Sequence, residues 1–149
     1  MLHEKKLTKS SRYLFFDLGV RRVLSEEAPK FVSSRKGELF EHFIGNEIIK
    51  WIRTSALGAK LYYWRDSDGP EVDWLIEFKG HVLPIEVKLA QKIDKAVEKH
   101  LRVFCSEYKN ADESWIAYNG DLKYQIEKGS KVVPHTLLFK ELEKWKNKK

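Results

Sequence analysis

Residues 71–88 constrain the fold of this chain more than any other stretch. Apolar and polar side chains alternate on both sides of a central Lys79-Gly80 pair. The apolar positions are Val72, Trp74, Ile76 and Phe78 on the first run and Leu83, Ile85 and Val87 on the second. A period of two is typical of a β-strand with one buried face, and a glycine in a short connection is typical of a hairpin turn. The segment therefore predicts two antiparallel strands that meet at Lys79-Gly80.

This hairpin predicts a cluster of charged side chains. If Lys79 and Gly80 form a two-residue turn, Asp73 faces Glu86 and Glu71 faces Lys88. These four side chains would share one face of the hairpin and the apolar residues the other. Like charges directly opposite each other destabilise a sheet, so a positive group is expected between the two carboxylates. Paired carboxylates suit a hard divalent cation such as Mg²⁺, with Lys88 placed to orient or activate a water molecule.

The residues alone leave a simpler interpretation open. Lys88 would pair with Glu71, and Asp73 and Glu86 would point apart into solvent on an ordinary amphipathic hairpin. A bulged three-residue loop at Gly80 would also shift the pairing. Because 34% of the residues are charged, a Glu-x-Lys triplet alone does not decide between these interpretations.

A helix is predicted before the hairpin, over about residues 34–55. Its apolar residues recur at helical spacing, and Ser33 or Ser34 is a candidate cap. The apolar positions are Phe40, Ile44, Ile48, Trp51 and Ile52. Glu41 lies at the margin of this stripe, so it is either a surface residue or a residue that points across the sheet toward Asp73.

The remaining elements complete an α/β fold. We expect a first strand at 61–64, a helix over about 92–108, strands at 115–118 and 122–126 in a hairpin around Asn119-Gly120, a strand at 131–133 and a closing helix at 136–146. The helix over 92–108 would have Ile93, Ala96, Val97, Leu101 and Phe104 on its core face. The order α-β-β-β-α-β predicts a small mixed β-sheet flanked by helices, with a C-terminal hairpin and helix.

Composition narrows the class of protein. A chain of 149 residues fits a single domain, 1–149, in which residues 1–10 are expected to be flexible. The net charge of +6 favours a polyanionic partner. A single cysteine, Cys105, excludes an intramolecular disulfide, so we expect a cytoplasmic protein. No long apolar run occurs, so we expect no membrane anchor. No Walker-type loop occurs, so we expect no ATPase module.

The ordered motifs resemble a known family. Asp73 followed by Glu86-Val87-Lys88, with Glu41 on a preceding helix, resembles the core of the PD-(D/E)XK nuclease superfamily, whose fold is restriction-endonuclease-like. Residues 11–20, 37–43, 61–65, 71–73 and 84–88 more narrowly resemble a domain of unknown function that commonly follows AAA-type ATPase modules in prokaryotes. The resemblance implies that Asp73 and Glu86 are metal ligands, Lys88 is the catalytic lysine and Glu41 is a further acidic site residue. The main-chain carbonyl of Val87 is a candidate additional ligand.

Three functions are compatible with these features. The first is Mg²⁺- or Mn²⁺-dependent phosphodiester hydrolysis of nucleic acid, with DNA the expected substrate. The second is a nuclease-like module that binds nucleic acid or a protein partner without cleaving it. The third is a structural or oligomerisation accessory to an ATPase, which would require neither metal nor nucleic acid.

Overall fold

The computed structural model describes residues 13–24, 35–66, 69–127 and 129–149, which form an α/β fold with one mixed six-stranded sheet. The described helices are α1 (Leu18–Leu24), α2 (Lys36–Ser55), α3 (Glu98–Glu107) and α4 (Leu138–Lys146). The strands are β1 (Lys60–Arg65), β2 (Glu71–Phe78), β3 (His81–Lys88), β4 (Trp115–Tyr118), β5 (Tyr124–Gln125) and β6 (Lys131–Pro134). The expected class, a mixed sheet flanked by helices, is confirmed.

The order of strands across the sheet is β1-β2-β3-β4-β6-β5. The β1–β2 and β2–β3 pairs are antiparallel, the β3–β4 and β4–β6 pairs are parallel, and β5 is antiparallel to β6. The parallel register aligns Lys88 with Tyr118 and Tyr118 with Pro134. The carboxyl ends of the three strands therefore meet along one line, which we call the carboxyl edge.

The hairpin of β2 and β3 has the predicted register. Its ladder runs from the Phe78 and His81 pair beside the turn to the Trp74 and Ile85 pair. Lys79 and Gly80 have positive φ angles of 49° and 82°, as a two-residue type I′ turn requires. The alternative three-residue loop is therefore wrong.

A β-bulge interrupts the other side of β2. Tyr62 pairs with Leu75 and Trp64 pairs with Val72, so two residues of β2, Asp73 and Trp74, lie opposite the single residue between Tyr62 and Trp64. A bulge bends its strand and redirects the side chains on it. It places Val72 in a different apolar cluster from Trp74, although simple alternation puts both on one face.

Helices cover both faces of the sheet. One cluster joins α2 and α4 to the sheet, and it includes Ile44, Ile48, Trp74, Ile85, Leu138 and Trp145. The second joins α3 to the opposite face, and it includes Val72, Leu75, Val82, Leu101, Phe104 and Ile116. The face predicted to carry the charged cluster is also largely buried, because Leu75 and Val82 on it pack under α3. Asp73 and Glu86 lie at its carboxyl-edge end, and Glu77 pairs with Val82 near the turn.

The predicted hairpin around Asn119-Gly120 is also wrong. β4 lies between two parallel neighbours, and the short β5 pairs with β6 instead. After β4, the Asn119 N–H donates to the carbonyl of Ala90 at 3.2 Å, and the Tyr118 hydroxyl hydrogen-bonds with the main chain of Leu122. The turn after β4 is therefore held by contacts with Ala90 and Leu122 and not by a β4–β5 ladder.

Helix boundaries differ modestly from the prediction. The helix expected from Lys92 begins later, because the Asp94 side chain accepts a hydrogen bond from the Ala96 N–H and starts a 3₁₀ turn over Lys95–Val97. A second 3₁₀ turn, His135–Leu137, leads into α4. The candidate caps Ser33 and Ser34 and the expected flexible residues 1–10 lie outside the described residues. In the part of the chain that the structure describes, no helix is long and apolar enough to cross a membrane.

Candidate functional site

Asp73 and Glu86 lie at the end of the β2–β3 ladder, directly beyond its last pair. The bulge turns Asp73 toward β3, where its Oδ2 accepts a hydrogen bond from the Val87 N–H at 2.8 Å. Both side chains belong to residues that are buried, with 8% of Asp73 and 5% of Glu86 exposed. Two neighbouring acidic groups are thus withdrawn from water at the carboxyl edge.

The Glu86 carboxylate is incompletely satisfied. Its Oε1 lies 2.7 Å from the Lys88 Nζ, whereas its buried Oε2 has no hydrogen-bond partner among the described residues. Burial, together with the negative charge of Asp73, raises the pKa of Glu86 to about 7, and the ion pair with Lys88 opposes that rise. A carboxylate with an unpartnered buried oxygen is costly for a folded protein, so this position can accept a further hydrogen-bond donor or a cation.

Lys88 remains positively charged in this setting. Burial alone would lower the pKa of its ammonium group, but the hydrogen bond to Glu86 and the charges of Glu86, Asp73 and Glu41 raise it above its ordinary value. The side chain is 41% exposed, so the ammonium lies at the boundary between the buried acids and solvent. Lys88 can therefore stabilise negative charge on a ligand that approaches from outside.

Glu41 approaches the site from α2. This is one of the two positions that the sequence left open, the other being an ordinary surface position. The residue is half-buried, its Oε1 is buried, and its charge acts on Lys88. The structure thus brings together Glu41, Asp73, Glu86 and Lys88, which are separated by up to 47 positions in the sequence. This arrangement disagrees with the interpretation of Glu41 as an ordinary surface residue.

Glu71 has a different partner from the expected one. It faces Arg65 in the β1–β2 register, and its Oε2 accepts from the Arg65 Nε at 2.9 Å and from Nη2 at 2.5 Å. The simpler interpretation, in which Lys88 pairs with Glu71, is therefore wrong. Because Arg65 pairs with Glu71, the negative charge that acts on Lys88 comes from Glu86, Asp73 and Glu41.

The carboxylate oxygens of Asp73 and Glu86 suit Mg²⁺ or Mn²⁺ better than metal ions that favour histidine and cysteine ligands. Within residues 13–24, 35–66, 69–127 and 129–149, no group of three or more metal-ligating side chains occurs. Mg²⁺ commonly binds through one or two carboxylates and keeps several waters, so Asp73 and Glu86 are sufficient in number. The unpartnered Oε2 of Glu86 fits a cation, whereas the carbonyl of Val87 as a ligand stays a prediction.

The comparison with protein families identifies the class of domain. A family model described as "Domain of unknown function (DUF4143)" matches residues 36–138, which is more than half of the chain. The chain belongs to the DUF4143 family. The matched region begins at α2 and ends at the first residue of α4, so it contains the whole sheet and all four predicted site residues. No curated protein matches the chain.

Membership of DUF4143 confirms the narrower resemblance only as far as a domain of unknown function. The association with AAA-type ATPases and the affiliation with PD-(D/E)XK nucleases stay predictions. The family description assigns no reaction to the DUF4143 domain. Its function must therefore be argued from the site itself.

Sequence reasoning missed how the DUF4143 domain holds Asp73 in place. A Cβ on Gly45 of α2 would collide with the indole ring of Trp74, so the helix backbone packs directly on the residue after Asp73. The sequence contains no signal that Gly45 and Trp74 are partners. α2 therefore packs directly against the bulge that contains Asp73.

Proposed function

We propose that this DUF4143 domain is a metal-dependent phosphodiesterase that acts on nucleic acid. The observation that carries the proposal is the buried Glu86 carboxylate, which lies beside Asp73 and Lys88 and leaves Oε2 without a partner. Asp73 and Glu86 would hold Mg²⁺ or Mn²⁺, with the Val87 carbonyl as a further ligand. The bound cation would polarise a phosphate and lower the pKa of a coordinated water.

The proposed role of Lys88 follows from its charge. An ammonium whose pKa is raised cannot take a proton from water at neutral pH, so Lys88 would stabilise developing negative charge on the phosphate. Glu41, which acts electrostatically on Lys88, would orient that ammonium or a water molecule. Asp73 is oriented by the Val87 N–H, which limits the rotation of its carboxylate.

The proposed substrate class follows from charge. The chain carries a net charge of +6, which attracts a polyanion. Among polyanions, nucleic acid presents phosphodiesters to a site that suits Mg²⁺, and DNA is the substrate that we propose. The element order helix, three antiparallel strands, helix and parallel strand supports the proposed restriction-endonuclease-like core.

Cleavage of a mixed panel tests this function. Plasmid, linear, single-stranded and branched DNA and RNA are incubated with Mg²⁺ or Mn²⁺, with EDTA as the cation-free control. Asp73→Asn and Lys88→Ala should each lower the cleavage rate at least about 100-fold, since each removes several kcal/mol of charge stabilisation. The matched controls are Asp121→Asn and Lys109→Ala, which change exposed residues of the same types and should leave the rate unchanged.

A second candidate function is a binding module that does not cleave nucleic acid. The Lys88 ammonium already lies 2.7 Å from Glu86 and can neutralise it without a metal, which favours this alternative. Salt-sensitive DNA binding that survives Lys88→Ala, without cleavage by the native chain, would support the module. Cleavage that both variants abolish would exclude it.

A further inference from the structure

His135 extends the carboxyl edge beyond the acidic cluster. It directly follows Pro134, which is aligned with Tyr118 of β4, and Tyr118 is aligned with Lys88 of β3. Neighbouring strands lie about 4.8 Å apart, so the main chain of His135 is about 10 Å from that of Lys88. This distance separates His135 from the reacting phosphate but places it within reach of a neighbouring one.

The imidazole of His135 is oriented by two contacts. Its Nδ1 lies 3.4 Å from the carbonyl oxygen of Tyr118, and its ring meets the Phe40 ring edge to face, with centroids 5.3 Å apart. Phe40 immediately precedes Glu41 on α2. The two contacts therefore hold the ring on the side of the sheet from which Glu41 acts on Lys88.

These contacts define what the second ring nitrogen can do. A carbonyl oxygen only accepts hydrogen bonds, so Nδ1 carries the proton and donates it to Tyr118. None of the described residues forms a hydrogen bond with Nε2. Both ring nitrogens donate in an imidazolium, so with Nδ1 directed at the Tyr118 carbonyl, Nε2 is the nitrogen that faces an anion.

We propose that His135 is a substrate-binding residue, whose Nε2 donates a hydrogen bond to a backbone phosphate of the bound nucleic-acid strand. The contacted phosphate lies next to the one held at Asp73, Glu86 and Lys88. The identity of the strand rests on the proposed function, but the contact itself requires no cleavage. His135 therefore positions the strand along the carboxyl edge and is separate from the acidic cluster.

Nuclear magnetic resonance tests the contact directly. Long-range ¹H–¹⁵N spectra of the full chain report both nitrogens of each of its five histidines, and His135→Ala identifies the His135 signals. The probe is a phosphorothioate-linked thymidine decamer, which resists hydrolysis, added at low salt with EDTA. We expect an Nδ1-protonated ring whose Nε2 signal shifts on titration, while the signals of His81, at the opposite end of β3, do not move. Failure of the decamer to bind, or binding without a shift at His135, would overturn the contact.

The salt dependence of binding tests the charge. For single strands the slope of log affinity against log salt falls by about 0.7 for each phosphate contact removed. At pH 6, His135→Gln should reduce the slope by about that amount, whereas His135→Lys and the control His81→Ala should keep it. In a cleavage assay His135→Gln should raise KM and leave kcat nearly unchanged. An unaltered slope in His135→Gln would refute the proposal.

Cleavage in Mg²⁺ separates this inference from the proposed function. If the His135 signals shift but the chain cuts no substrate, the phosphate contact is supported and the proposed hydrolase activity is refuted. If the chain cleaves a substrate but the His135 signals do not shift, the hydrolase activity is supported and the phosphate contact is refuted.

Discussion

Two buried glutamates have opposite environments in this domain. Glu86, at the carboxyl edge, is 5% exposed, and Glu141, on α4, is 4% exposed. Glu86 has one ammonium partner and a neighbouring carboxylate. Glu141 is contacted by Lys131 at 2.6 Å, Lys144 at 2.7 Å and Lys123 at 3.3 Å. The two carboxylates are therefore equally buried, but Glu141 has three ammonium partners and Glu86 has one.

The pKa values of the two carboxyl groups move in opposite directions. Burial raises the pKa of Glu141, but hydrogen bonds from Lys131, Lys144 and Lys123 outweigh it and lower the value to about 2. Burial and the charge of Asp73 raise the pKa of Glu86 to about 7. Three ammonium groups thus surround the single Glu141 carboxylate, whereas Glu86 and Asp73 share the one ammonium of Lys88. A strongly shifted carboxyl group at a strand end is typical of a functional site.

The largest expected effect is on the Glu141 cluster. Glu141→Gln should lower the free energy of unfolding at pH 7 by about 3 kcal/mol, because three ammonium groups would lose their common buried partner. Denaturant unfolding measures the change, and the exposed Glu127→Gln is the matched control. Equal stability of the two variants would show that the three lysines do not depend on Glu141 for stability.

Packing behind the acidic site should have the next largest effect. Gly45→Ala should destabilise the domain by about 2 kcal/mol, because the added methyl group collides with Trp74 beside Asp73. Gly37→Ala in the same helix is the control, since nothing lies within 4 Å of its Cβ. Thermal unfolding compares the two, and a Gly45→Ala variant as stable as Gly37→Ala would show that α2 does not constrain the bulge.

The contributions of Glu86 and Glu141 to stability should change with pH in opposite directions. The pKa of Glu86 is higher in the folded chain, so the unfolded chain releases this proton first as pH rises above about 4.5. The contribution of Glu86 is therefore fully present at lower pH and is lost as pH rises through about 7. Glu141 has the opposite sign, and its contribution is lost as pH falls from about 4.5 through about 2.

Glu86→Gln isolates the first of these contributions. Without added metal, it should become more stable than the native chain as pH rises from 5 to 8, by about 2 kcal/mol at pH 8. Urea unfolding at each pH measures the difference. A constant difference across this range would show that Glu86 does not titrate there.

Cation binding should produce the smallest effect. At pH 8, Mg²⁺ at about five times its dissociation constant should stabilise the native chain by about 1 kcal/mol, or a rise in Tm of about 2–4 °C. Asp73→Asn and Glu86→Gln should lose this rise, whereas Asp121→Asn should retain it. A rise that persists in all three variants would place the cation elsewhere.

Local sequence determined several features correctly. The Lys79-Gly80 turn, the register of β2 and β3 and most of α2 follow from nearby residues, because turn chemistry and periodic burial act over a few positions. The hairpin around Asn119-Gly120 was wrong, because long-range parallel pairing of β4 outweighs a local turn signal. The bulge at Asp73 and Trp74 was missed, since it depends on how β1 pairs with β2.

Alternation along β2 and β3 was enough to predict that Asp73, Glu86 and Lys88 lie near one another, and the motifs indicated that Glu41 joins them. Their charge balance depends on how the whole chain folds. Arg65 forms an ion pair with Glu71, and Lys88 forms one with Glu86. Packing of α2 brings Glu41 to the site. The physical reason is that pairing along a strand depends on short-range geometry, whereas burial and net field depend on every element that packs around a side chain.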